Sequence, residues 1–173
     1  MGKLLSILAA LAVLALCAVT GSCNSAGCSD NSTAIPLAGF YSSASAEAIS
    51  LDSVAFIGLG AAVTDSSLTA AGTPVSQVYL PMNALADNTT WKIEYLNFAL
   101  HTPELYDTIA LSYERIPYFA SEECGAMYAY RLRALTHTTH FIDSITVVDS
   151  LFTNADRETM KIYFRIAGEG AEE

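Results

Sequence analysis

Beyond its N-terminal segment the chain alternates apolar and polar residues with a period of two. The clearest stretch runs from Glu158 to Ile166: Met160, Ile162, Phe164 and Ile166 fall on one face, Thr159, Lys161, Tyr163 and Arg165 on the other. That period belongs to a strand with one buried face. The same pattern predicts strands at Trp91-Ile93-Tyr95, Ile109-Leu111-Tyr113 and Tyr128-Tyr130-Leu132. Val54 and Phe56 open another that ends at Gly58-Leu59-Gly60, and Val75 to Leu80 forms one that Pro81 stops. Ser144 to Leu151 reads as the next strand, joined to the last through the hairpin-like loop Thr153-Asn154-Ala155-Asp156-Arg157. A short edge strand is expected around residues 38–43. No segment sustains a 3.6-residue period over ten positions. Seven or eight short strands rich in β-branched and aromatic residues predict an all-β protein, an antiparallel immunoglobulin-like β-sandwich.

The N-terminus breaks this pattern. Lys3 precedes an apolar run from Leu4 to Val19, which gives way to Thr20-Gly21-Ser22-Cys23. The run is about 16 residues, short for a spanning helix. One positive charge, an apolar middle and a small-residue exit predict a cleaved signal peptide over 1–22. Cys23 follows two small residues and is the expected lipidation site, whereas Cys17 follows Leu16. Plain secretion, cut near Ala18 or Ser22, is the alternative. Residues 23–35 then form a tether, 36–167 the sandwich domain and 168–173 a disordered acidic tail. A lipidated N-terminus carries more than one acyl chain and anchors stably. No acidic cluster follows Cys23, which favours the periplasmic side of the outer membrane over the cell surface.

The formal charge is −10, and loss of Lys3 makes it −11. An acidic surface disfavours nucleic acid as a partner. Besides Cys17 and Cys23, two cysteines remain, Cys28 and Cys124. In an exported protein such a pair is most simply a disulfide. It would close a loop worth roughly 4–5 kcal/mol in the chain-entropy model.

Motifs for chemistry are missing. His137 and His140 lie three apart, and on a strand they point to opposite faces, so no metal site is expected. No Gly-x-Ser-x-Gly elbow, phosphate loop or calcium-loop spacing occurs. Glu122 and Glu123 are adjacent and diverge on a strand. No catalytic residue and no cofactor are expected, and the chain reads as a non-enzyme. Tyr113, Tyr118, Tyr128 and Tyr130 cluster in sequence; they suit a sandwich core better than a sugar-binding platform. Asp52-Ser53-Val54, Asp107-Thr108-Ile109 and Asp143-Ser144-Ile145 each place Asp and a hydroxyl at a strand start, where both bond nearby backbone and set turns.

In order, the signal with Cys23, then Cys28, Phe40-Tyr41, Leu51-Asp52-Ser53-Val54, Leu80-Pro81-Met82, Asp107-Thr108-Ile109, Glu123-Cys124-Gly125, Ile142-Asp143-Ser144 and Lys161 to Phe164 resemble an uncharacterised family of Bacteroidales lipoproteins, a domain of unknown function. The resemblance implies an envelope location and no mechanism. It also implies O-glycosylation at Asp-Ser/Thr-aliphatic triplets, making Ser53, Thr108, Ser144 and Ser150 candidate sites. The function expected is that of a lipid-anchored envelope module held in the membrane by its lipid and binding a protein partner. A glycan-binding module, a structural surface subunit and a hydrolase without a motif are the alternatives.

Overall fold

The structure, a computed structural model, describes residues 34–59, 68, 73–96, 105–121 and 125–165. These residues form nine strands and no helix: β1 (Leu37–Ser42), β2 (Val54–Leu59), β3 (Gln77–Tyr79), β4 (Asn88–Tyr95), β5 (Tyr106–Ser121), β6 (Gly125–His137), β7 (Ile142–Val147), β8 (Leu151–Phe152) and β9 (Glu158–Phe164). One sheet has the order β3-β1-β9-β7, the other β2-β4-β5-β6-β8. The expected β-sandwich is what forms. β1 runs parallel to β9, and every other ladder is antiparallel.

The alternating faces meet in one core. Trp91, Ile93 and Tyr95 of β4, Ile109, Leu111 and Tyr113 of β5, and Met160, Ile162 and Phe164 of β9 are all buried. Phe40 of β1 bridges the layers: its ring stacks on Phe56 of β2 at 5.6 Å and meets Phe164 edge-on at 5.4 Å. Gly58 lies directly opposite Trp91, and a Cβ there would stand 3.2 Å from the indole. The missing side chain gives the large ring room to lie across β2.

Three expectations about strands need correction. First, β1 is no edge strand; it sits between β3 and β9. Second, Ser144 to Leu151 is two strands in different sheets, which brings the count to nine rather than seven or eight. β7 pairs with β9, and β8 pairs with β6. The break lies at Val148-Asp149, where both backbone N–H groups donate to Thr159 O and Asp149 Oδ1 accepts from the Leu151 N–H at 2.8 Å. That Asx turn redirects the chain. Third, residues 153–157 therefore cross from one sheet to the other and do not close a hairpin.

β5 and β6 form the longest hairpin. β4 follows β5 only as far as Ser112, while β6 pairs with β5 through to Ser121. Past Ser112 the two strands run on without β4 as a ribbon, which the short β8 borders at Tyr130 and Arg131. Pro117, which has no N–H to donate, lies where β5 has left β4 behind.

Candidate functional site

The ribbon begins at a bulge. Ser112 pairs with Ala134 and Tyr113 with Leu132, so Arg133 is an extra residue on β6. A bulge bends its strand and re-aims neighbouring side chains. Here Arg133 and Arg131 both reach Glu114 of β5, Arg131 at 3.6 Å.

On β5 itself, Tyr113 organises the loop that leads into β4. Its ring is buried, edge-on to Tyr130 at 5.1 Å. Its hydroxyl accepts from the Asn83 N–H at 2.9 Å and lies 2.7 Å from Thr89 Oγ1. Its proton can be donated to Asn83 O at 2.9 Å or Asn88 O at 3.1 Å. Tyr113→Phe keeps the ring and deletes this hub. It is expected to cost about 1–3 kcal/mol, with faster amide exchange over residues 83–89 and little change in β9. An exchange pattern unchanged in that loop would contradict the assignment.

Arg115 clamps the same loop. Nε donates to Asp87 Oδ1 at 2.7 Å and Nη1 to Ala84 O at 2.8 Å. Asp87, Tyr113, Glu114, Arg115, Tyr128 and Arg133 line an open concavity of about 490 Å³. Arg115, Arg131 and Arg133 are three of the chain's eight basic residues, gathered in a protein of net charge −10. The individual ion pairs are partly exposed and add little stability. Their use is positional: the carboxylates of Asp87 and Glu114 hold guanidinium groups beside the half-buried ring of Tyr128. Such a surface can make charge-assisted hydrogen bonds to a bound partner.

A second polar cluster serves the fold. Asp107 is 0% exposed, yet its carboxylate accepts five hydrogen bonds. Oδ1 takes the Thr138 hydroxyl (2.7 Å) and the His140 N–H (2.8 Å). Oδ2 takes the Tyr95 hydroxyl (2.8 Å) and the N–H groups of Phe141 (2.8 Å) and Ile142 (3.0 Å). Burial alone would raise the carboxyl's pKa. The donors from Phe141, Thr138, His140 and Tyr95 outweigh burial and hold it below the usual value. Burial, and then the Asp107 charge, push the Tyr95 phenol far up. The donors from Thr138 to Ile142 belong to the crossover between the sheets, so Asp107 on β5 pins that crossover.

A family of unknown function, DUF6452, matches residues 53–164. The chain belongs to the DUF6452 family. No curated protein and no solved structure matches it. The DUF6452 match takes in both polar clusters and begins after β1, which nonetheless completes the four-stranded sheet.

Cys23, Cys28 and Cys124, and with them the expected lipidation and disulfide, lie outside the described residues, as do Glu122 and Glu123. Ser53 adopts φ 55° just ahead of β2 and is half-buried. Thr108, next to the buried Asp107, pairs with Lys92 of β4 on one side and exchanges hydrogen bonds with Thr138, just past β6, on the other. Ser144 and Ser150 are exposed. His137 Nδ1 lies 2.9 Å from Thr138 O, and His140 Nδ1 lies 3.5 Å from Asp107 Oδ1. Among the described residues no three His, Cys, Asp or Glu side chains form a metal-binding group. Tyr113 and Tyr130 are core, while Tyr118 and Tyr128 are half-buried. The Arg115 and Arg133 cluster was not foreseen. Its one trace in the sequence is that the alternation of β6 slips by one residue between Leu132 and Leu135.

Proposed function

We propose that the chain is an exported, lipid-anchored module of a bacterial cell envelope, held on the periplasmic side of the outer membrane, that engages a protein partner through the β5–β6 ribbon. One observation carries this reading: Arg115, Arg133 and Tyr128 converge on the concavity, while Phe119 on the same ribbon is 69% exposed. Arginine and aromatic side chains dominate the energy of protein interfaces. Phe119 adds to them an exposed aromatic ring on the same ribbon that a partner can cover. The anchor rests on the apolar run and on Gly21-Ser22-Cys23.

Two experiments on the full chain test the two halves. Cys23→Ala is expected to block processing or to release the protein from membranes; normal processing with full membrane retention argues against the anchor. For the partner, a photo-crosslinking residue in place of Phe119 is expected to give one discrete adduct in envelope membranes. Arg115→Ala with Arg133→Ala should reduce that adduct at least tenfold while thermal stability stays near wild type. An adduct of undiminished yield in the double variant would count against the concavity as the contact.

A further inference from the structure

The outer face of the four-stranded sheet carries an arrangement that the ribbon does not explain. Tyr79 on β3, Tyr41 on β1 and Tyr163 on β9 all project from it, with Glu158 and Lys161 among them. Val78 and Ala38, on the opposite side of the same strands, are buried in the core. Tyr41 and Tyr163 are register partners with ring centroids 5.6 Å apart. The Tyr41 hydroxyl donates to Glu158 Oε2 at 2.8 Å, and Lys161 Nζ stands 4.5 Å from the Tyr41 ring centroid and 3.8 Å from Glu158 Oε1. The Tyr79 hydroxyl donates to Asp156 Oδ1. Gly39 makes this possible. A Cβ at that position would collide with Glu158 Oε2 and stand 3.0 Å from the edge of the Tyr41 ring. The backbone notch seats the carboxylate and the ring against the sheet.

We propose that this face is a binding platform for a neutral oligosaccharide. Its chemistry is that of ring faces combined with fixed hydrogen-bonding groups. The rings of Tyr79 and Tyr163 can cover the C–H face of a pyranose, while the Tyr41 ring already carries Lys161 Nζ over its face. The Glu158 carboxylate and Lys161 ammonium, 3.8 Å apart, can bond neighbouring hydroxyls with charge assistance. Gln77, Ser144 and Thr146 on the same sheet are exposed and polar. Phe119, which would anchor a protein, lies on the ribbon, and of the exposed aliphatic side chains Leu59, Leu68, Leu85, Leu105 and Leu151 lie off this sheet, while Val148 alone stands at the end of β7. Charge disfavours an anionic ligand and offers no carboxylate cluster for a cation: Glu158 and Lys161 cancel, and Asp156, bonded by the Tyr79 hydroxyl, leaves the face weakly negative. Tyr79 pairs with Leu37, four residues from Tyr41 along β1. At about 3.3 Å per residue that is about 13 Å, a span for several sugar units rather than one.

The test is ligand-observed NMR and calorimetry on the detergent-solubilised full chain with cellohexaose, maltohexaose and chitohexaose. At least one is expected to bind. Tyr163→Ala and Tyr79→Ala should each lower its affinity at least tenfold, Tyr163→Phe should retain it, and Arg115→Ala at the concavity should leave it unchanged. Thermal melts establish that the variants fold; Tyr79, exposed at the sheet edge, is the variant least able to disturb folding. Failure of all three hexasaccharides to bind at about 10 mM, affinity that survives both alanine variants, or affinity lost with Arg115→Ala overturns the proposal. Capture of an envelope protein by this face, relieved by Tyr163→Ala, would also overturn it.

Discussion

Asp107→Ala is expected to destabilise the protein by roughly 4 kcal/mol, a fall in melting temperature on the order of 10 °C. The carboxylate satisfies three backbone N–H groups and two hydroxyls from inside the protein. Removing it leaves those donors without an acceptor, and each buried orphan costs about 1–3 kcal/mol. Asp107→Asn keeps the shape but turns an NH₂ toward donors, so about half the loss is expected. The pH dependence separates the charge from the shape. The folded-state pKa is depressed, so the stabilisation is fully present above the ordinary aspartate value of about 3.9. It is lost as pH falls through the folded-state value. The gap in stability between wild type and Asp107→Asn should therefore be constant from neutral pH down to that range and close below it. Urea melts at a series of pH values measure this directly. A gap that persists unchanged in strong acid would mean that the carboxylate's charge plays no part.

The strands were legible because burial imposes a local period. Met160, Ile162 and Phe164 alternate in sequence and are buried in the structure for the same reason. Pairing was not legible, because partners are distant in the chain and period two does not encode them. Nothing in Leu37 to Ser42 states that β1 lies parallel to β9, far along the chain, and so between two neighbours rather than at an edge. Val148-Asp149 misled in another way. An apolar residue kept the alternation going across a turn that the Asp149 side chain imposes.

The Asp-hydroxyl pairs show the same boundary between local and distant information. At Asp149-Ser150-Leu151 the aspartate does bond a backbone N–H two residues on. At Asp143 the carboxylate pairs with Arg165 at 2.8 Å instead. Asp107 has a structural role, as its place at a strand start suggested. Its partners, however, apart from Tyr95, lie 31 to 35 residues downstream. The tyrosines dense in sequence, expected in the core, are there in part: Tyr113 and Tyr130 are buried, while Tyr118 and Tyr128 are half-buried. Tyr41, Tyr79 and Tyr163 are scattered in sequence, and only the register of β3, β1 and β9 gathers them on one face.

Phe40→Ala is expected to cost about 3–5 kcal/mol, comparable with the loss of Asp107 but independent of pH. Phe40 is fully buried and is the ring through which β1 contacts both sheets. Truncation removes its transfer free energy and leaves a cavity between Phe56 and Phe164. Two aromatic pairs, each worth about 0.5–1.5 kcal/mol beyond area burial, go with it. The flanking rings belong to β2 and β9, strands fixed by their own ladders, so the cavity cannot collapse fully. Phe40→Leu should recover more than half of the loss, because it refills most of the volume without restoring the ring contacts. In urea the midpoint should fall for Phe40→Ala with an unchanged slope, since the surface exposed on unfolding is nearly the same. Phe40 and Asp107 serve different joints of the sandwich, one holding layer to layer and the other fixing the crossover. Their effects should add to within about 0.5 kcal/mol in the double variant. Measured coupling well above that figure would mean that the crossover and the core give way together.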